Sequence, residues 1–174
     1  YDQNPDMFKG SLESLQVLFN GAEPIKASTL ENFSIRFERH GFKKESFFPC
    51  YGMAETTLFV SGSQYDQSPH IYNIDYQKLA KQGELCESQE IDHQIVSSGH
   101  VHSLQDLQIV NPETKAQVTD GQIGEIWIHG PNVARGYWNN DSLSTATFHN
   151  HINGKSNHCY LRTGDLGCLY NGEL

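Results

Sequence analysis

Four short stretches concentrate the residue types that do chemistry. Asn20-Gly-Ala-Glu-Pro24 joins an apolar run to a helix-like pattern. A glycine at such a corner lets backbone approach a planar or anionic ligand, although any strand-to-helix turn looks the same. Tyr51-Gly-Met-Ala-Glu-Thr-Thr57 supplies an aromatic ring able to stack on a base. Its Glu55 is a hard oxygen donor suited to a divalent cation. Leu161-Arg-Thr-Gly-Asp-Leu-Gly167 holds Asp165 in a tight loop, where a fixed carboxylate can accept from two adjacent ribose hydroxyls. Gly124-Glu-Ile-Trp-Ile-His-Gly-Pro-Asn-Val-Ala-Arg-Gly-Tyr-Trp138 is unusual in its small residues. Its Trp127/Ile128 strand and the segment Arg135-Gly-Tyr-Trp138 read as structural. His149, His151, His158 and Cys159 have soft-ligand chemistry. Their spacing fits no zinc pattern, and a polar surface loop accounts for them. His100 and His102 read as a solvated strand edge.

These loops need elements to hold them. Residues 14–19 form a short apolar run suited to a buried strand, closed by Asn20-Gly21. Ser28-Thr-Leu-Glu31 fits a capping box, and Leu30, Phe33 and Phe37 then recur with helical spacing up to Gly41. Phe47-Phe48-Pro49 is a second buried strand end. Strand, helix and strand predict one βαβ unit and a parallel sheet. Residues 62–96 are polar, with a weak helical pattern over 72–81, and read as an insertion or long loop. After residue 96 the pattern is β. Residues 107–110 make one strand, and in residues 124–130 Ile126 and Ile128 face one side while Trp127 and His129 face the other. A small barrel or sandwich follows. Asn171-Gly172 is a hairpin turn with only Glu173 and Leu174 beyond it. That short arm, and a βαβ unit too small to cover both faces of its sheet, predict a fragment of a larger fold.

The 174 residues carry 12 Lys+Arg against 21 Asp+Glu, so the net charge is 12 − 21 = −9. With 19% charged and 11% aromatic residues the composition is globular, not disordered. The acidic balance argues against a nucleic-acid groove. No apolar run reaches the roughly 18 residues of a membrane span, and residues 1–10 hold no secretory signal. Cys50, Cys86, Cys159 and Cys168 form no CxxC and read as reduced thiols of a cytoplasmic protein. The sequons at Asn32 and Asn140 then read as fortuitous.

In this order and spacing, the four loop signatures resemble those of the acyl-adenylate-forming superfamily: acyl-CoA synthetases, adenylation domains and luciferases. Phe19-Asn-Gly-Ala-Glu-Pro-Ile25, Ala54 within Tyr-Gly-Met-Ala-Glu, and the extra segment over 62–96 resemble the fatty acyl-AMP ligases most. The resemblance implies an α/β plus β fold: residues 1–61 as the last strand-helix-strand unit of a parallel α/β subdomain, 62–96 as a family-specific insertion or linker, and 97–174 as a small distorted β-barrel subdomain. It implies ATP/AMP and Mg as cofactors. Gly21, Ala22 and Glu23 match the loop lining the adenine, and Tyr51 matches the stacking aromatic, with Gly52 and Met53 beside the nucleotide and acyl tunnel. Glu55 matches the acid that coordinates Mg, and Asp165 the acid that holds the ribose hydroxyls. Many relatives have a phosphate-contacting Thr at the position of Ala54; backbone amides or Thr56 are the expected substitutes.

The family's phosphate loop, hinge Arg and catalytic Lys have no counterpart in this sequence, so the chain alone is expected to be inactive. The implied activity is activation of a long-chain fatty acid with ATP, for transfer to the phosphopantetheine of an acyl carrier protein or a polyketide/peptide synthase. An acyl-CoA synthetase and a non-catalytic nucleotide-binding or scaffold module of the same fold are the alternatives. In fatty acyl-AMP ligases the extra segment packs against the small C-terminal domain and limits its rotation. Ile74 and Leu79 are the expected contact, exposed or poorly ordered here.

Overall fold

A computed structural model describes residues 7–90 and 93–174, so residues 91 and 92 of the predicted insertion lie outside the described residues. The chain begins with β1 (Leu18–Asn20), α1 (Ala27–Phe37) and β2 (Phe47–Tyr51). β1 and β2 pair in parallel, with Leu18 opposite Phe47. The βαβ unit is therefore present, although its first strand is shorter than the apolar run over 14–19 and Phe19 is exposed rather than buried. Leu30, Phe33 and Phe37 do form the inward stripe of α1, packed with Ala27, Phe42 and Phe47. The helix starts one residue before Ser28. Its N-cap is Lys26, which makes no side-chain cap, so the expected capping box is not used.

β3 (Ser61–Gly62) follows, then β4 (Ile71–Asn73), α2 (Tyr76–Gln82) and β5 (Gln94–Val96). The first sheet is completed by β6 (His100–Val101), giving the order β1-β2-β3-β6. β4 and β5 pair antiparallel as a separate two-stranded sheet. Here the structure departs from the expected loop. The helix begins at Tyr76, not near residue 72, because Asp75 caps it through Lys78 N–H at 3.0 Å and Gly83 ends it with φ +64°. Ile74, expected on an outward face, is only 1% exposed, and Leu85 and Val96 are buried too. Val96 packs into the α1 core. The segment also docks by backbone: Leu85 N–H donates to Gly121 O at 2.8 Å and Ile123 N–H to Gly83 O at 2.7 Å. Its polar composition marks the solvent side of a packed unit.

The remaining elements are β7 (Asp106–Val110), β8 (Gly124–His129), α3 (Asp141–Phe148), β9 (Asn150–Ile152) and β10 (Lys155–Gly167). β7, β8, β10 and β9 form an antiparallel sheet in that order. β8 is central and buried on both faces. Ile126 and Ile128 join Val60, Leu107 and Ile109, while Trp127 packs with Val110, Ile152 and Tyr160. α3 was not foreseen in the sequence. Its cap is Asn140, whose side chain accepts from Leu143 N–H at 3.2 Å, the residue otherwise read only as a sequon. Tyr170 and Glu173 pair around Asn171 (φ +52°) and Gly172 (φ +80°), so the turn forms with both central residues left-handed.

The buried Glu173 carboxylate ties these parts together. It accepts from His70 Nδ1 at 2.9 Å and Tyr72 Oη at 3.1 Å, and His100 Nε2 lies 3.5 Å away. His100 does lie on the edge strand β6, with 41% of its side chain exposed, and it is also engaged there with Gly172 O and Glu173; His102 is exposed. If residues 62–96 belong to the folded unit, Ile74→Ala will lower stability by about 2–5 kcal/mol, the cost of truncating a buried aliphatic side chain. Tyr76→Ala, at a side chain 55% exposed, will change it by less than about 0.5 kcal/mol. Urea denaturation of the two variants is the check.

Candidate nucleotide-binding cleft

The site begins with a defect in β10. Leu161 and Arg162 pair with Ile128 and Trp127, whereas Leu166 and Gly167 pair with Glu125 and Gly124. Three residues, Thr163 to Asp165, therefore face the single residue Ile126. A bulge of this kind bends a strand and re-aims a side chain. Asp165 sits on it, rather than in a loop between strands. Gly164 takes φ +77°, which glycine adopts without strain. Thr163 Oγ1 donates to Ile126 O at 2.8 Å and accepts from Asp165 N–H at 3.0 Å.

Glu125 fixes the bulge from beneath. It is only 4% exposed, and it belongs to none of the candidate site residues above. Arg162 binds it in a fork, Nε at 3.0 Å and Nη2 at 2.7 Å from Oε2, and Gly164 N–H donates to Oε1 at 3.1 Å. The guanidinium also lies over the Trp127 ring, 5.4 Å from its centroid. Burial alone would raise the Glu125 carboxyl, but the hydrogen bonds from Arg162 and Gly164 hold it below the usual carboxylate range. The only advance signal was a charge inside an otherwise apolar strand, which calls for a partner.

Asp165 meets Tyr51 across the cleft. The Tyr51 hydroxyl donates to Asp165 Oδ2 at 2.7 Å, and burial together with that carboxylate pushes the phenol well up. Ala22, Glu23, Tyr51, Gly52 and Asp165 line one cleft of about 990 Å³, with Ile126 among its apolar residues. This is the size expected of a small-molecule site, roughly 300–1,000 Å³. Gly21, Met53 and Glu55 do not line it. Gly21 is needed for packing, since a Cβ there would meet Cys50 O at 2.8 Å. Gly52 is needed more stringently: a Cβ would lie 1.5 Å from Leu58 O, because the chain folds back over it.

That return forms a one-turn 3-10 helix over Ala54–Thr56 with Glu55 half-buried on it. Thr56 is fully buried and donates to Met53 O at 3.0 Å, so it does not replace the missing hydroxyl at Ala54. Glu55 Oε1 accepts from Tyr137 Oη at 2.8 Å. Tyr137, assigned a purely structural place from sequence, thus touches a candidate site residue. No short-range pattern links positions 82 residues apart. Elsewhere, Cys159 Sγ lies 3.8 Å from His151 Nε2, and the four cysteines are free thiols. Among the described residues no three His, Cys, Asp or Glu side chains are grouped to hold a metal by themselves, and no helix is long and apolar enough to cross a membrane.

Residues 2–138 match the AMP-binding enzyme family. The chain belongs to that family. A medium-chain-fatty-acid–[acyl-carrier-protein] ligase of Teredinibacter turnerae is 39% identical over 172 residues, covering 94% of this chain and 27% of that protein. A long-chain-fatty-acid–AMP ligase of Mycolicibacterium smegmatis is 35% identical over 176 residues, covering 94% and 28%. Among solved structures, a fatty acyl-adenylate ligase from Legionella pneumophila, in complex with acyl adenylate and pyrophosphate, superposes with a TM-score of 0.90. It is 35% identical and covers all of this chain and 30% of that one. The chain spans less than a third of the length of each of these three relatives.

The ion pair beneath the bulge carries a pH signature. Glu125 titrates below its ordinary value of 4.5, so its stabilisation is complete above that pH and is lost as the pH falls through the lower folded value. Glu125→Gln should cost about 3 kcal/mol near neutrality, the low end for breaking a buried pair, because Arg162 keeps a third of its side chain in water. It should also flatten the decline in urea midpoint between pH 6 and pH 3.

Proposed function

We propose that this chain is the nucleotide-binding part of a fatty acyl-AMP ligase. The observation that carries the proposal is the convergence of Tyr51 and Asp165 on one cleft, across 114 residues of sequence, in a member of the AMP-binding family. The names of its relatives support a fatty acid as the carboxylate substrate and an acyl carrier protein as the acceptor. In the full-length protein a fatty-acid carboxylate oxygen attacks the α-phosphorus of ATP. A P–O bond forms, the α–β anhydride breaks, and pyrophosphate leaves. The carrier thiol then attacks the acyl carbonyl and AMP departs.

The roles of this chain's residues follow from their chemistry. The face of Tyr51 offers a stacking surface for adenine, beside Ala22, Glu23 and Gly52 of the same cleft, with Gly21 packing the loop from behind and Met53 next to the phenol. The Asp165 carboxylate accepts from the ribose hydroxyls, and this requires the Tyr51 hydroxyl to yield or share Oδ2. Glu55 suits Mg: one half-buried carboxylate is the kind of donor set Mg uses when substrate phosphates and water complete its shell. Bound there, the ion would neutralise charge developing on the phosphates.

Residues 62–96 are read as the family-specific segment that faces the small domain. Because Ile74 is buried, its candidate contact shifts to the exposed side of α2, where Tyr76 lies. A cytoplasmic location fits four free thiols.

In a full-length enzyme carrying this sequence, Asp165→Ala removes charge-assisted hydrogen bonds worth about 1.5–3 kcal/mol each. We expect kcat/KM for ATP to fall on the order of 10²-fold in ATP–pyrophosphate exchange, with the KM for fatty acid within a few-fold. Unchanged ATP dependence would place the ribose elsewhere.

A further inference from the structure

Glu55 lies on a stretch of backbone that is held from outside. Thr57 (φ +55°) and Leu58 (φ +77°) are consecutive left-handed residues, an arrangement that costs free energy in non-glycine residues and persists only under constraint. Residues 132–134 supply the constraint. Asn132 Nδ2 donates to Thr56 O at 2.6 Å, Thr57 Oγ1 donates to Asn132 O at 2.9 Å, and Ala134 N–H donates to Glu55 O at 2.8 Å. These three bonds fix the backbone of the acid. The fourth contact, Tyr137 Oη to Glu55 Oε1 at 2.8 Å, fixes its side chain.

The phenol is itself held in place. Tyr137 N–H donates to Ser144 Oγ at 2.8 Å, and its ring meets Phe148 edge-on at 5.2 Å. Gly136 lets the chain pass so close to α3 that a Cβ would lie 2.7 Å from Ser144 Oγ. α3 is thus rigidly coupled, through one hydroxyl, to the carboxylate on the far loop.

We propose that Tyr137 is a positioning residue for the metal-binding acid. Its hydroxyl holds Oε1 of Glu55 and leaves Oε2, which has no hydrogen-bond partner among the described residues, as the oxygen available to a divalent cation. The inference rests on the reading of Glu55 given above. Hydrogen-bond partners of metal ligands orient them, and their loss weakens metal binding by about 10–100-fold.

The test uses Tyr137→Phe in the full-length enzyme, a change that keeps the ring and its packing on Phe148. Mn²⁺ binding in the presence of a non-hydrolysable ATP analogue is measured by electron paramagnetic resonance, and ATP–pyrophosphate exchange is titrated with Mg²⁺. The variant should bind Mn²⁺ about 10-fold more weakly and need about 10-fold more Mg²⁺ for half-maximal rate, with the maximal rate recovered at saturating Mg²⁺. Wild-type metal responses in Tyr137→Phe, alongside shifted ones in Glu55→Gln, would overturn the positioning role and leave the Glu55 reading standing. Wild-type responses in both variants would overturn both.

Discussion

A carboxylate almost sealed from water cannot stay ionised without a cation and donors aimed at it. Glu125 has both, in the fork of Arg162 and the N–H of Gly164. The consequences run outward. Gly164 is pinned within the bulge, Thr163 closes onto Ile126 O, and the next residue, Asp165, is carried to the cleft and Tyr51. A regular antiparallel strand would pair residue for residue with β8 and would lack the extra residues that lift Asp165 out of register. The ion pair is therefore as much a device for placing a side chain as a source of stability.

The cleft is assembled from parts that cannot place one another locally. Tyr51 ends a strand whose register is set by parallel pairing with β1, while Asp165 belongs to an antiparallel sheet that packs a separate cluster around Trp127 on its other face. The two meet because Val60, Tyr51, Leu169 and Leu174 share an apolar cluster with Ile126 and Ile128. Residues 62–96 reinforce that meeting. Their backbone joins residues 121–123, and His70 and Tyr72 reach the Glu173 carboxylate. Cleft geometry thus depends on both sheets and on the segment between them.

Sequence periodicity revealed what local spacing can encode: the parallel βαβ unit, the inward stripe Leu30–Phe33–Phe37, strand β8 and the Asn171-Gly172 turn. Family resemblance singles out Tyr51 and Asp165 as separate motifs, and only the fold puts them side by side. The failures have physical causes. The Ser28 box lost to a helix that gains from burying Ala27 and so starts earlier. Residues 62–96 looked like a loop because two short strands and a seven-residue helix expose most of their side chains and bury few. Glu125–Arg162 and Glu55–Tyr137 join positions 37 and 82 residues apart, where no helical or strand repeat operates.

In the proposed function the β10 bulge presents Asp165, opposite Tyr51, to the ribose of a bound nucleotide. A crystal structure of a full-length protein carrying this sequence, with AMP bound, tests it most directly. Both ribose hydroxyls should lie within hydrogen-bond distance of the Asp165 carboxylate, with adenine against the Tyr51 ring and the Arg162–Glu125 fork intact. AMP bound with its ribose on other residues, while Tyr51 still donates to Asp165 Oδ2, would contradict it.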